Sequence, residues 1–148
     1  ELEIIDQALK TVDLAEQRFL QEKSADIAYE KETLRLARKL IEEDNFEEAL
    51  TTIETLSDKQ EMTPEMQELK RVATEKLIKR ERKKAAKYFL MARKTRDPAK
   101  KEELLLSSYD ILKGLIEHYP SSPMLEKLNG NLRTVREELN KLGKDPES

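Results

Sequence analysis

A chain of 148 residues with 40% charged side chains, 5% aromatics and three glycines lacks the turn glycines and aromatic strand residues of a sheet protein. Ala, Leu, Glu, Lys and Arg dominate, the residues that lose least on entering a helix, so the expected class is all-α, with enough chain for one domain that buries about 68–70% of its surface. The absence of cysteine excludes a disulfide framework, a thiolate metal site and a thiol nucleophile, and fits a reducing cytosol and a periplasm equally well.

In chain order, Leu2, Ile5, Leu9, Val12 and Phe19 alternate by three and four, skipping one step at Glu16, and mark one apolar helix seam. No strong breaker lies between Leu20 and Asp44, so one long helix and a break near Ser24–Asp26, capped by either residue, are both open. Ile27, Leu34, Leu36, Ala37, Leu40 and Ile41 follow, ending at Asp44-Asn45, and Phe46, Ala49, Leu50, Ile53 and Leu56 make a short helix. Thr63-Pro64 reads as a cap followed by a first-turn proline. The pattern then runs from Met66 to Ala92, one helix of about thirty residues or two with an unmarked join. Asp97-Pro98 opens a helix with Leu104, Leu105, Ser108, Leu112, Leu115 and Tyr119 on its seam, closed by Pro120.

Ser122-Pro123 repeats the cap-then-proline start, and Leu125, Leu128, Leu132, Val135, Leu139 and Leu142 follow at heptad-type spacing. That seam suits first a closing helix packed within the domain, and second a coiled-coil contact with another copy, because the first segment is spaced alike. Gly143 stands at the helix-ending position, and 144–148 is a polar tail expected to fray. About six helices in a single domain over 1–143 are expected. The pattern is already under way at Glu1, which points to a processed chain or a piece of a longer protein, and no apolar run reaches bilayer-spanning length.

The stretch from Leu36 to Leu50 resembles the turn of a tetratricopeptide repeat. Ala37 falls at the small packing position of the first helix, Phe46 at the aromatic after the turn and Ala49 at the small position of the second helix, with Ile53 and Leu56 on its inner face. Small residues let antiparallel helices approach, and the aromatic fills the wedge between hairpins. Asp44 stands where the family prefers glycine. A looser match runs from Ala85 to Pro123, with Ala92 and Ser108 at small positions and Leu112 and Leu115 on the inner face. Its ending, Tyr119-Pro120-Ser121-Ser122-Pro123, is similar to the close of tetratricopeptide proteins of bacterial envelopes. The resemblance covers about half the chain and implies a right-handed array of antiparallel hairpins that binds a protein segment on its concave face. It places Lys31, Leu34, Arg35, Arg38 and Ile41 on the lining of that face, the cations facing an acidic or C-terminal segment, although the asparagines of carboxylate-holding members are missing.

Residues able to do chemistry are sparse. His118 is the single histidine and sits near a helix C-terminus, where a partly charged imidazole is favoured. Glu42, Glu43, Asp44, Glu47 and Glu48 are acids of the kind expected around a helix start. No metal-spacing motif, phosphate loop or nucleophile elbow occurs, so the expectation is a non-enzymatic chain without cofactor or metal.

Charge is polarised along the sequence. Residues 1–75 hold 10 Lys/Arg against 20 Asp/Glu, residues 76–101 hold 12 against 2, and residues 102–148 hold 6 against 9. Lys76, Lys79, Arg80, Lys83, Lys84 and Lys87 recur at helical spacing along about 16 Å. This basic face reads as a solvated surface, a dock for an acidic protein partner, or a nucleic-acid or anionic-lipid contact. For the face the solvated surface comes first; for the function of the whole chain a protein-binding scaffold leads, self-association through the heptad seams follows, and nucleic-acid binding is the third.

Overall fold

The computed structural model describes residues 1–147, which form five α-helices and no strand. They are α1 (Leu2–Glu42), α2 (Phe46–Ser57), α3 (Pro64–Lys94), α4 (Pro98–His118) and α5 (Leu125–Lys141). The chain divides into two compact units, residues 1–73 and the part from Thr74 onward. Helix α3 starts in the first and ends in the second. No helix is long and apolar enough to cross a membrane among the described residues.

The expected all-helical class is correct, and the expected number of about six helices is not. Ser24 and Asp26 lie inside the 41-residue α1 and cap nothing. Each costs under about 0.7 kcal/mol relative to alanine in a helix, too little to interrupt a run that good helix formers flank. The segment after Pro64 is likewise a single helix of 31 residues.

In the first unit α1 turns back into α2 through Glu43–Asn45. The amide of Asn45 donates to Leu40 O (2.8 Å) and that of Asp44 to Ile41 O (3.1 Å), the paired bonds that close a helix when the next residue is left-handed. Asp44 is that residue, at φ +60. The same pair recurs where α5 ends, from Lys144 to Leu139 and from Gly143 to Asn140, with Gly143 at φ +75. Glycine holds this conformation without strain and aspartate does not. Asp44→Gly is therefore expected to stabilise the hairpin by about 1 kcal/mol, seen as a higher urea midpoint; a lower midpoint would mean that the aspartate supports the turn.

Ala37 and Ala49 are fully buried where α1 meets α2, and Phe46, Ile53 and Leu56 are buried beside them. Leu34, Ala37, Ile53, Leu56 and Met66 form the core cluster, flanked by Met62 and Leu69. The packing thus draws on the C-terminal third of α1, all of α2 and the first turns of α3. The predicted cap of α3 is present: Met66 N donates to Thr63 Oγ1 at 3.2 Å, with Pro64 at the first helical position. Upstream the situation is different. Every residue from 1 to 29 is exposed, so the apolar seam of the first segment lies uncovered.

The second unit packs the rest of α3 with α4 and α5. Asp97 caps α4 by accepting from Ala99 N at 3.0 Å, with Pro98 in the first turn, as its sequence predicts. Helix α5 begins at Leu125, two residues later than the Ser122-Pro123 signal. Ser122 Oγ accepts from Met124 N (3.0 Å) and so caps the turn that leads in. Leu128, Val135 and Leu139 are buried, so the heptad-spaced seam of α5 is used within the unit.

The polar tail departs from expectation as far as Glu147, Ser148 lying outside the described residues. Arg136 pairs with Asp145 (3.2 Å) and Glu147 (2.8 Å), and the buried Tyr109 hydroxyl donates to Glu147 at 2.7 Å. Burial first, and then this bond, push the Tyr109 phenol up to about 12 from its ordinary 10.0. The fold holds that proton more tightly than the unfolded chain does. Its stabilisation is complete below about pH 10 and is lost as pH rises through about 12. Phenolate absorbance should show one of the four tyrosines ionising late, and Glu147→Ala should bring that midpoint down. Four tyrosines titrating together would mean that the tail is not held against Tyr109.

Candidate partner-binding groove

A groove of about 830 Å³ lies within the second unit, between α3, α4 and α5. Helix α3 supplies one wall through Glu75, Ile78, Lys79, Arg82, Lys83, Ala86 and Phe89, side chains that recur by three and four along one face. Leu112 of α4 and Val135 of α5 complete an apolar floor, and Pro123 and Met124 edge it. Buried Ser108 donates through Oγ to Ala85 O at 2.9 Å, satisfying its hydroxyl where α3 and α4 approach closely. Arg82 Nε donates to Asn131 Oδ1 at 2.9 Å, tying the α3 wall to α5. Exposed Lys79 and Lys83, one turn apart on α3, complete the lining with no ion pair or hydrogen bond among the described residues.

An apolar floor with two unpaired ammonium groups at its edge favours a ligand carrying apolar side chains beside carboxylates. The volume is that of a site for a few side chains.

The predicted basic face divides on the structure. Lys79 and Lys83 line the groove, whereas Lys76, Lys84 and Lys87 are exposed outside it. Arg80 pairs with Glu81 at 2.9 Å. Arg82, not counted in that face at the sequence level, is the cation that joins two walls. Its signal was present: 75, 79, 82, 86 and 89 alternate by four and three, and Phe89 lies on that row.

The residues expected to line a concave face on α1 are not brought together. Leu34 and Ile41 are 3% and 6% exposed and belong to the interior, which leaves them almost no surface to offer. Arg35 pairs with Glu32 on its own helix, and Arg38 with Glu65 of α3. The bond to Glu32 raises the Arg35 pKa further and lowers that of Glu32. Lys31 is exposed. Counting from a repeat register identifies a helix face, but a covering helix decides whether that face is surface or core, and α2 with the start of α3 covers this one.

His118 sits at the end of α4 with Nδ1 2.8 Å from Gly114 O, so that nitrogen donates to the helix backbone. Among the described residues no three His, Asp or Glu side chains converge as metal ligands would. Comparison with protein-family models, curated proteins and solved structures gives no match.

Proposed function

We propose that this chain is a non-enzymatic scaffold of tetratricopeptide-like helix hairpins, and that its second unit holds an acidic, amphipathic partner segment in the α3–α4–α5 groove. The observation that carries this reading is the pairing of an apolar floor with Lys79 and Lys83, two cations without a protein counterion. A structural surface lysine is ordinarily solvated on an open face. These two border a groove wide enough for a side-chain-sized ligand, where the apolar floor beside them strengthens their pull on a carboxylate. The hairpin reading draws support from the burial of Ala37, Phe46, Ala49, Ile53 and Leu56 in the register that a repeat turn would require.

The probe is a fluorescent helical peptide with leucines on one face and glutamates along its edges, titrated by anisotropy. Wild-type protein is expected to bind it with an affinity that falls as salt rises. Lys79→Glu with Lys83→Glu should weaken binding by tenfold or more, about 1.4 kcal/mol, chiefly through a slower on-rate. Lys76→Glu with Lys87→Glu, outside the groove, and Arg35→Glu with Arg38→Glu, on α1, should leave it unchanged. Equal affinity across all four proteins would dispose of the groove. Mixed-sequence DNA bound more tightly than the peptide, and lost in every lysine variant, would transfer the basic face to nucleic acid.

A further inference from the structure

Residues 2–29 of α1 carry large apolar side chains that nothing else in the first unit covers: Leu9 is 57% exposed, Val12 53%, Phe19 63%, Leu20 62% and Ile27 47%. At Tyr29 the first unit still touches this helix, with Lys59 Nζ 4.6 Å from the ring centroid. N-terminal to it every residue of α1 is exposed, over some 40 Å at about 1.5 Å per residue. An exposed helix of this composition loses a water-excluding face that a partner would restore.

We infer that this face pairs with the same face of a second copy, antiparallel, about a two-fold axis passing between Phe19 and Leu20. The two charged residues that interrupt the seam decide both the occupant and its direction. Glu16 and Lys23 stand equally far from that midpoint, three and a half residues to either side. Antiparallel pairing about it sets each Glu16 opposite Lys23 of the other copy, Val12 opposite Ile27, and the Phe19 and Leu20 side chains around the axis. Parallel in-register pairing would instead face Glu16 with Glu16 and Lys23 with Lys23, like charges in a desolvated seam. A pair of opposite charges in such a seam adds little stability but selects one orientation.

Val12, Ala15, Glu16, Phe19 and Leu20 border a shallow, open depression on the bare helix. The first four stand at positions i, i+3, i+4 and i+7. Four residues at this spacing are the hole into which a facing helix inserts one side chain. In the antiparallel arrangement that side chain is Lys23 of the second copy. Its methylene stem lies over Ala15 between Val12 and Phe19, and its ammonium reaches Glu16. Closed two-fold pairing is also the commonest symmetry of assemblies made from one chain.

The test uses the whole chain, and circular dichroism confirms helix content in each variant. Light scattering or sedimentation should give wild-type protein twice the 17.3 kDa chain mass. Glu16→Lys and Lys23→Glu should each fall to the mass of one chain, and an equimolar mixture of the two should return to two. Because the chain has no cysteine, direction is read by added thiols. A mixture of Val12→Cys and Ile27→Cys proteins should form a disulfide-linked dimer that neither forms alone. Wild-type protein with the mass of one chain at the highest soluble concentration, a failure of the charge variants to lower the mass, or crosslinking of Val12→Cys with itself would each overturn the proposal.

Discussion

Leu56→Ala is expected to lower stability by about 3 kcal/mol, within the roughly 2–5 kcal/mol typical of such core truncations. Leu56 is 0% exposed on the inner face of α2, in the cluster formed by Leu34, Ala37, Ile53 and Met66. Removing its three terminal carbons forfeits their transfer from water and leaves a void that rigid helix backbones fill only partly. The matching control is Leu14→Ala. Leu14 belongs to the same apolar population of the sequence, but it is 60% exposed on α1, and alanine is the better helix former there. That change should move the urea midpoint by no more than about 0.5 kcal/mol in free energy. Equal losses for the two substitutions would mean that the cluster at the α1–α2 hairpin is not the core of the first unit.

Ala49→Leu tests the hairpin from the opposite direction, by adding volume. Ala37 on α1 and Ala49 on α2 are both 0% exposed, so neither site has open space beside it. A leucine at 49 gains apolar carbon, but it must force the helices apart or adopt a strained rotamer, and overpacking of this kind costs about 1–3 kcal/mol. The loss should appear as a lower melting temperature, with Ala49→Gly also destabilising through backbone entropy. A melting curve unchanged by leucine would show room between the helices, and with it the tetratricopeptide-like reading of residues 36–50 would go.

Local signals in the sequence carried a large part of the fold. Composition settled the helical class because helix propensity is a property of single residues. Caps were legible at Thr63 and Asp97 because an N-terminal oxygen two or three residues from its amide involves no distant partner. The hairpin was legible for a similar reason, since Ala37, Phe46 and Ala49 are all buried on either side of a three-residue turn.

What required tertiary structure was which apolar seam is covered, and by what. The seams of α1 and α5 have nearly the same spacing, yet Leu128, Val135 and Leu139 are buried and Leu2 through Ile27 are not. Periodicity states that a helix has an apolar face; only neighbouring helices decide whether it meets protein or water. The same distinction moved Leu34 and Ile41 from an expected binding face into the core. It also divided one run of lysines into two that border the α3–α4–α5 groove and others that face solvent. The tail followed this rule as well, since its anchors, Tyr109 and Arg136, lie 38 and 11 residues upstream of Glu147, a separation that no local pattern encodes. Helix formation is decided over a turn or two of chain, whereas burial is decided by the distant segments that topology brings alongside.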